Sequence, residues 1–232
     1  MPASTPRAAV DAKLPDCRGV LGSASTTTCL HENPRLRILD VRLQPGSSTS
    51  SFLGRPTVRW QVLDASATTP PPAFHPAGAE FTIANPGQQE RRDLVFEILH
   101  EPERNDEEVQ QLMAATSWPT APGQVMMLEN RYVRMWDFRS SLGMDRQDFH
   151  QHVLDNAWVV LGDGSALNVF SPDGQGGARF EKTVAFHDGF VSWSSVDNGG
   201  FAEDGAPLAP KCLHSVDNAA HAEFREYLIE LK

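Results

Sequence analysis

Apolar and polar residues alternate along much of this chain. In "LRILDVRL" (Leu36 to Leu43) and again in "VRMWDFRS" (Val133 to Ser140), apolar positions take turns with Arg and Asp. A period of two is the signature of a strand that keeps one face in a core. Both stretches belong to longer copies of one pattern. "ENPRLRILDVRLQPG" (Glu32 to Gly46) lies over "ENRYVRMWDFRSSLG" (Glu129 to Gly143) without a gap. Glu, Asn, an Arg, the Asp, a second Arg and the closing Gly coincide, and Leu36/Val133, Ile38/Met135 and Val41/Phe138 are apolar in both. A second match, "ERRDLVFEIL" (Glu90 to Leu99) with "EFREYLIEL" (Glu223 to Leu231), follows in the same order. Two ordered matches in each half indicate an internal duplication.

Other strands are expected over Thr57–Asp64, Ala157–Gly162, Ala166–Phe170, Arg179–Phe186 and Phe190–Ser194. Gly, Asp and Pro punctuate them at near-regular intervals, the pattern of a sandwich or barrel. Between the copies, Glu107 to Ala115 is the best short helix, and a Pro-rich segment follows it. The expected organisation is an all-β chain of two small antiparallel barrels in tandem. Residues 1–28 form a flexible lead-in, 29–100 the first barrel, 101–124 a helix and linker, and 125–232 the second barrel. Trp60 matches Trp158 across the repeat, which makes both candidates for core packing.

Composition narrows the function classes. The chain has 232 residues, 40% hydrophobic and 22% charged, ordinary globular material. No apolar run approaches the roughly 18 residues of a membrane span. A net charge of −10 without a Lys/Arg stripe argues against nucleic acid. Cys17, Cys29 and Cys212 are odd in number and widely spaced, so neither a disulfide framework nor a zinc finger is indicated. A reducing, cytoplasmic compartment is the default expectation. The lead-in lacks the apolar stretch of a secretory signal, and Asp11 and Asp16 weigh against a transit peptide.

The chemistry begins at "DFHQHVLDN" (Asp148 to Asn156). On a strand His150 and His152 share a face, about 7 Å apart along the backbone at roughly 3.3 Å per residue. The pair alone could be half of a metal site, but such a pair occurs often by chance and reads first as two polar groups on a wet face.

With its surroundings, the second half resembles a cupin, the double-stranded β-helix or jelly-roll barrel, and the whole chain resembles a bicupin. Cupins carry Gly, about five residues, His-x-His, three or four residues, Glu, six residues, Gly, and later His, three residues, Asn. Here Gly143 precedes His150-Gln-His152, Gly162 closes the segment, and "HSVDN" supplies His214 and Asn218. "FHDGFVSW" (Phe186 to Trp193) resembles the turn before the second motif. The resemblance implies three metal ligands, His150, His152 and His214. The family Glu is missing: positions 156 and 157 are Asn156 and Ala157. Asp155 falls one residue short and faces away from the histidines on a regular strand, unless a bulge re-aims it. In the first half the His-x-His window becomes "FLGRP" (Phe52 to Pro56), and Phe81 stands where His214 does. One metal per chain is therefore expected, not two.

Three imidazoles suit Fe(II), Zn, Ni, Mn or Cu, and leave positions open for water, substrate or O₂. The resemblance implies one divalent ion, Fe(II) first, in a non-haem dioxygenase-like oxidoreductase acting on a small molecule. Its alternatives are a three-histidine zinc lyase or hydratase, and a non-catalytic cupin that binds a small ligand or partner. Asp155 is the candidate base. Arg134, Trp158 and Cys212 are the candidate substrate-shell residues. Arg134 and Arg139 recur as Arg37 and Arg42 where no metal is expected, which favours a structural role for them. Cys212, two residues before His214, shares its strand face and is also a candidate for plain packing. The Gly- and Pro-containing stretch Ser194 to Pro210 is expected at the rim. Beyond the substrate, the assembly considered is a homodimer.

Overall fold

The computed structural model describes residues 25–52, 54–63, 70–140, 149–171, 180–196, 199–200, 213–218 and 224–232. Gly143, Cys212 and most of the 194–210 stretch lie outside them. The first half contributes β1 (Ser25–Glu32), β2 (Leu36–Leu43), β3 (Ser48–Phe52), β4 (Thr57–Val62), β5 (Ala73–His75), β6 (Glu80–Ala84) and β7 (Arg91–Ile98). Helix α1 (Asp106–Ala114) follows. The second half contributes β8 (Val125–Glu129), β9 (Val133–Ser140), β10 (His150–Gln151), β11 (Asp155–Val160), β12 (Gly164–Ser171), β13 (Phe180–Phe186), β14 (Val191–Ser195), β15 (Gly199–Gly200), β16 (Leu213–Asn218) and β17 (Phe224–Leu231). The expected strands are present to within two residues at either end.

Antiparallel pairing builds a barrel from each half. In the first, a sheet ordered β1-β2-β7-β4-β5 faces the pair β3-β6. In the second, β15-β14-β11-β17-β9-β8 faces β10-β16-β12-β13. The repeat extends to the register. Arg37 lies opposite Glu97 on β7, and its counterpart Arg134 lies opposite Glu230 on β17.

The largest apolar cluster lies between the barrels, where their larger sheets meet. Leu36, Ile38, Val58, Trp60, Leu94 and Phe96 from the first sheet pack with Val133, Met135, Ala157, Val159, Tyr227 and Ile229 from the second. Alternation then sends the intervening residues into each barrel. Val41, Leu43, Val95, Phe81 and Ile83 fill the first. Phe138, Val160, Ala166, Val184, Phe186, Val216 and Phe224 fill the second, with Trp158 against them. Strand β17 sits between β11 and β9 and is buried along its whole length on both faces. One face joins the inter-barrel core, the other the interior of the second barrel.

This geometry corrects the match of Trp60 with Trp158. Trp60 pairs with Leu94, and the repeat equivalent of Leu94 is Tyr227, which pairs with Val159. The structural counterpart of Trp60 is therefore Val159, one residue on. A slip of one residue changes the face. Trp60 stacks on Tyr227 between the barrels, with ring centroids 3.6 Å apart, whereas Trp158 packs inside the second barrel against Phe186 and Phe190.

Polar contacts seal the seam. Arg35 of the first half holds Asp155 of the second at 2.5 Å. Arg92 and Arg42 both reach Asp188 at the β13–β14 turn, at 2.7 and 3.2 Å. That turn carries Gly189 at φ 79°, a conformation glycine adopts without strain. Helix α1 begins one residue before its expected start. Asn105 caps it, accepting from the Glu108 backbone N–H while the Glu108 carboxylate accepts from the Asn105 N–H. Among the described residues no helix is long and apolar enough to cross a membrane.

The seam is expected to dominate stability. Trp60→Ala removes a fully buried ring from the inter-barrel core and should cost about 3–5 kcal/mol, read as a lower urea midpoint. A loss below about 1 kcal/mol would contradict this placement of the core.

Candidate metal centre

His150 opens β10 and lies directly opposite His214 on β16, while His152 follows just beyond β10. The ring centroids stand 4.3 Å apart for His150 and His214, 5.1 Å for His150 and His152, and 5.0 Å for His152 and His214. One ring nitrogen from each lies within 4.8 Å of the others, and among the described residues no further His, Cys or carboxylate joins the group. Small ring rotations bring such nitrogens to metal bonds of about 2.0–2.1 Å. Burial, with His150 and His152 alongside, pushes His214 well below its ordinary pKa. It is thus neutral, the form that donates a lone pair to a cation. The donor set fits a divalent transition metal.

The linker braces this constellation. Between the two histidines, the Gln151 N–H donates to Pro119 O at 2.9 Å and its side-chain Oε1 accepts from the Thr116 hydroxyl at 2.7 Å. Val109, Leu112 and Met113 of α1 pack on Val153 and Leu154, the two residues after His152. The segment expected as a connector therefore fixes the backbone that presents the imidazoles.

Sequence reasoning missed Glu230. It is fully buried on the inward face of β17, opposite Arg134 on one side and Asn156 on the other. Its Oε2 accepts from the Trp136 indole N–H at 3.1 Å and lies 3.2 Å from Arg134 Nη1. Its Oε1 lies 3.8 Å from His152 Nδ1, and both atoms are buried without a hydrogen bond. The first barrel keeps the same cross-strand pair, with Arg37 bonded to Glu97 at 2.8 Å. There the side chains are 34% and 22% exposed, against 3% and 0% for Arg134 and Glu230. The signal for Glu230 was in the repeat, because Glu97 and Glu230 align once the two closing strands are overlaid.

The other candidates fall elsewhere. Asp155 stays on the outward face of β11: Arg35 holds one oxygen and the Val196 N–H donates to the other. No bulge turns it inward, so it is a seam residue instead of a base beside the imidazoles. Asn156 faces inward, its amide donating to Leu154 O. Arg134 is beside the site, but it meets Glu230, lies 3.9 Å from Glu129 and covers the Trp136 ring. Trp158 lines the barrel interior. Arg139 pairs with Asp137 at the strand end, and His187 is exposed beside its turn. Glu226 also faces the interior of this barrel, between its cross-strand neighbours Phe138 and Val160. Burial raises its pKa to about 8.

No family model and no curated protein matches the chain. Solved structures do. A conserved protein of unknown function from Pseudomonas aeruginosa is 10% identical, covering 90% of this chain and 89% of that chain at a TM-score of 0.52. AerE from Microcystis aeruginosa is 8% identical, covering 89% of this chain and 97% of that chain at a TM-score of 0.50. A cupin 2 conserved barrel domain protein from Leptotrichia buccalis is 14% identical and covers 92% of each chain, at a TM-score of 0.42. At such identities the likeness is one of fold. That fold is two antiparallel jelly-roll barrels in tandem, as expected from the sequence; the converging histidines belong to the second barrel of this chain and not to the likeness.

Glu226 gives this barrel a pH dependence. With its folded pKa raised to about 8 from an ordinary value near 4.5, the native state retains a proton that the unfolded chain has released. Stability from this group is full below pH ~4.5 and is lost as the pH rises toward ~8. Glu226→Gln should therefore gain stability relative to the parent as the pH rises through that window, in urea titrations at pH 5, 7 and 8.5. An unchanged difference across the three pH values would show that Glu226 titrates normally.

Proposed function

We propose that the protein is a small-molecule metalloenzyme with one divalent ion per chain held by His150, His152 and His214, and that it acts as a non-haem iron dioxygenase-like oxidoreductase. The observation that supports it is the convergence of three imidazoles inside one barrel while the other barrel aligns no histidine with them. Three protein ligands leave coordination positions open, as catalytic sites do and closed structural sites do not. Bound iron would supply activation of O₂ beside a coordinated organic substrate. The chain's own part is to orient and enclose. His150 and His214 fix one edge through the β10–β16 pairing. The α1 segment holds the backbone at Gln151. Trp158 with Phe186 and Phe190 gives the barrel an apolar wall that restricts water.

A second reading, a zinc lyase or hydratase on the same ligands, rests on the donor set, since three imidazoles with open positions suit zinc as well as iron.

Elemental analysis of protein purified without chelators should give close to one metal per chain, and His150→Ala should abolish it. Iron with substrate-dependent O₂ uptake supports the dioxygenase reading, and zinc without uptake supports the lyase. No metal in the parent protein, with His150→Ala indistinguishable from it, would leave only a non-catalytic barrel.

A further inference from the structure

We propose that Glu230 is the positioning residue for His152: its carboxylate accepts the Nδ1 proton of that imidazole and so commits Nε2 to the metal. The inference rests on the three-histidine site proposed above.

Glu230 Oε1 and His152 Nδ1 face each other at 3.8 Å, both buried, and neither has another hydrogen-bond partner. An acceptor and a potential donor left unmatched side by side are each costly. A movement of about 1 Å brings them to hydrogen-bond distance. The carboxylate is not free to turn away, because Trp136 donates to its other oxygen and Arg134 flanks it.

The consequence lies in the tautomer. An imidazole whose Nδ1–H is bound to a carboxylate presents Nε2 as the lone-pair donor, and the bond raises the basicity of that nitrogen. His152 needs this more than its partners. His150 is a strand residue locked opposite His214, whereas His152 lies beyond the end of β10. A carboxylate projecting from the neighbouring β17 replaces the backbone constraint that His152 lacks. It also meets, from a different strand, the charge demand left by Asn156 at the position where a cupin would carry Glu. In the sheet, Asn156 and Glu230 are direct cross-strand partners. The first barrel has the same cross-strand pair, Arg37–Glu97, in a more exposed setting. In the second barrel the pair is buried and lies beside an imidazole.

The test uses the full chain and zinc as probe. Glu230→Gln keeps the shape and removes the charge, and zinc affinity measured by calorimetry should fall about 10- to 100-fold. His150→Ala in the same series should abolish binding. Nitrogen-15 NMR of the zinc-loaded parent should show His152 protonated at Nδ1, and this readout decides the matter if Glu230→Gln fails to fold. Equal zinc affinity in the parent and Glu230→Gln, with His150→Ala inactive in binding, would overturn the positioning role and leave the site standing. A loaded parent whose His152 carries its proton on Nε2 would overturn it equally. Absence of zinc binding in the parent would overturn the site and the inference together.

Discussion

A strand buried on both faces can hold a charge only against another group that answers it. Strand β17 is in that position, and its polar residues organise the second barrel. On the seam side, Arg225 meets Asp137 at 3.0 Å and also donates to Leu63 O of the first half. On the inner side, Glu230 meets Arg134, Trp136 and the edge of His152. Breaking a buried pair by removing one partner leaves an uncompensated charge, which costs several times what the intact pair contributes. The chain therefore retains these pairs as units, and the orientation of the histidine site is tied to them.

The duplication explains why the pairs are there. Asp40 and Arg92 in the first barrel match Asp137 and Arg225 in the second, and Arg37 and Glu97 match Arg134 and Glu230. Two similar sheets with similar cross-strand ion pairs then pack face to face through Trp60, Tyr227 and their neighbours. With the larger sheet of each barrel committed to the seam, the interiors are left to diverge. The first filled its interior with Phe81, Ile83 and Val95. The second holds three imidazoles and an acid of raised pKa.

Much of this was legible in local pattern. Strand alternation and the two repeat matches define the tandem barrels, and His150 with His152 follow from parity on one strand. The third histidine of the cluster came with the spacing of "HSVDN". Parity also placed Asp155 on the outward face, where Arg35 holds it. What escaped was non-local. Glu230 is 78 residues beyond His152 in number, and only the register between β11 and β17 brings it opposite Asn156. The support of Val153 and Leu154 by α1 is equally invisible in local periodicity, because a short amphipathic helix does not state what it packs against. The Trp60–Trp158 match failed for a related reason. Strand overlays without a register are uncertain by one residue, and in a sheet with two buried faces one residue decides the core to which a side chain belongs.

The account rests on a metal bound among three particular histidines. Anomalous diffraction from crystals grown with Mn(II), Fe(II), Co(II) or Zn(II) tests that most directly. The account predicts a single strong peak per chain, in contact with His150, His152 and His214, and none inside the first barrel. No peak among those three side chains with any of the four metals, or a site elsewhere that leaves them empty, would contradict it.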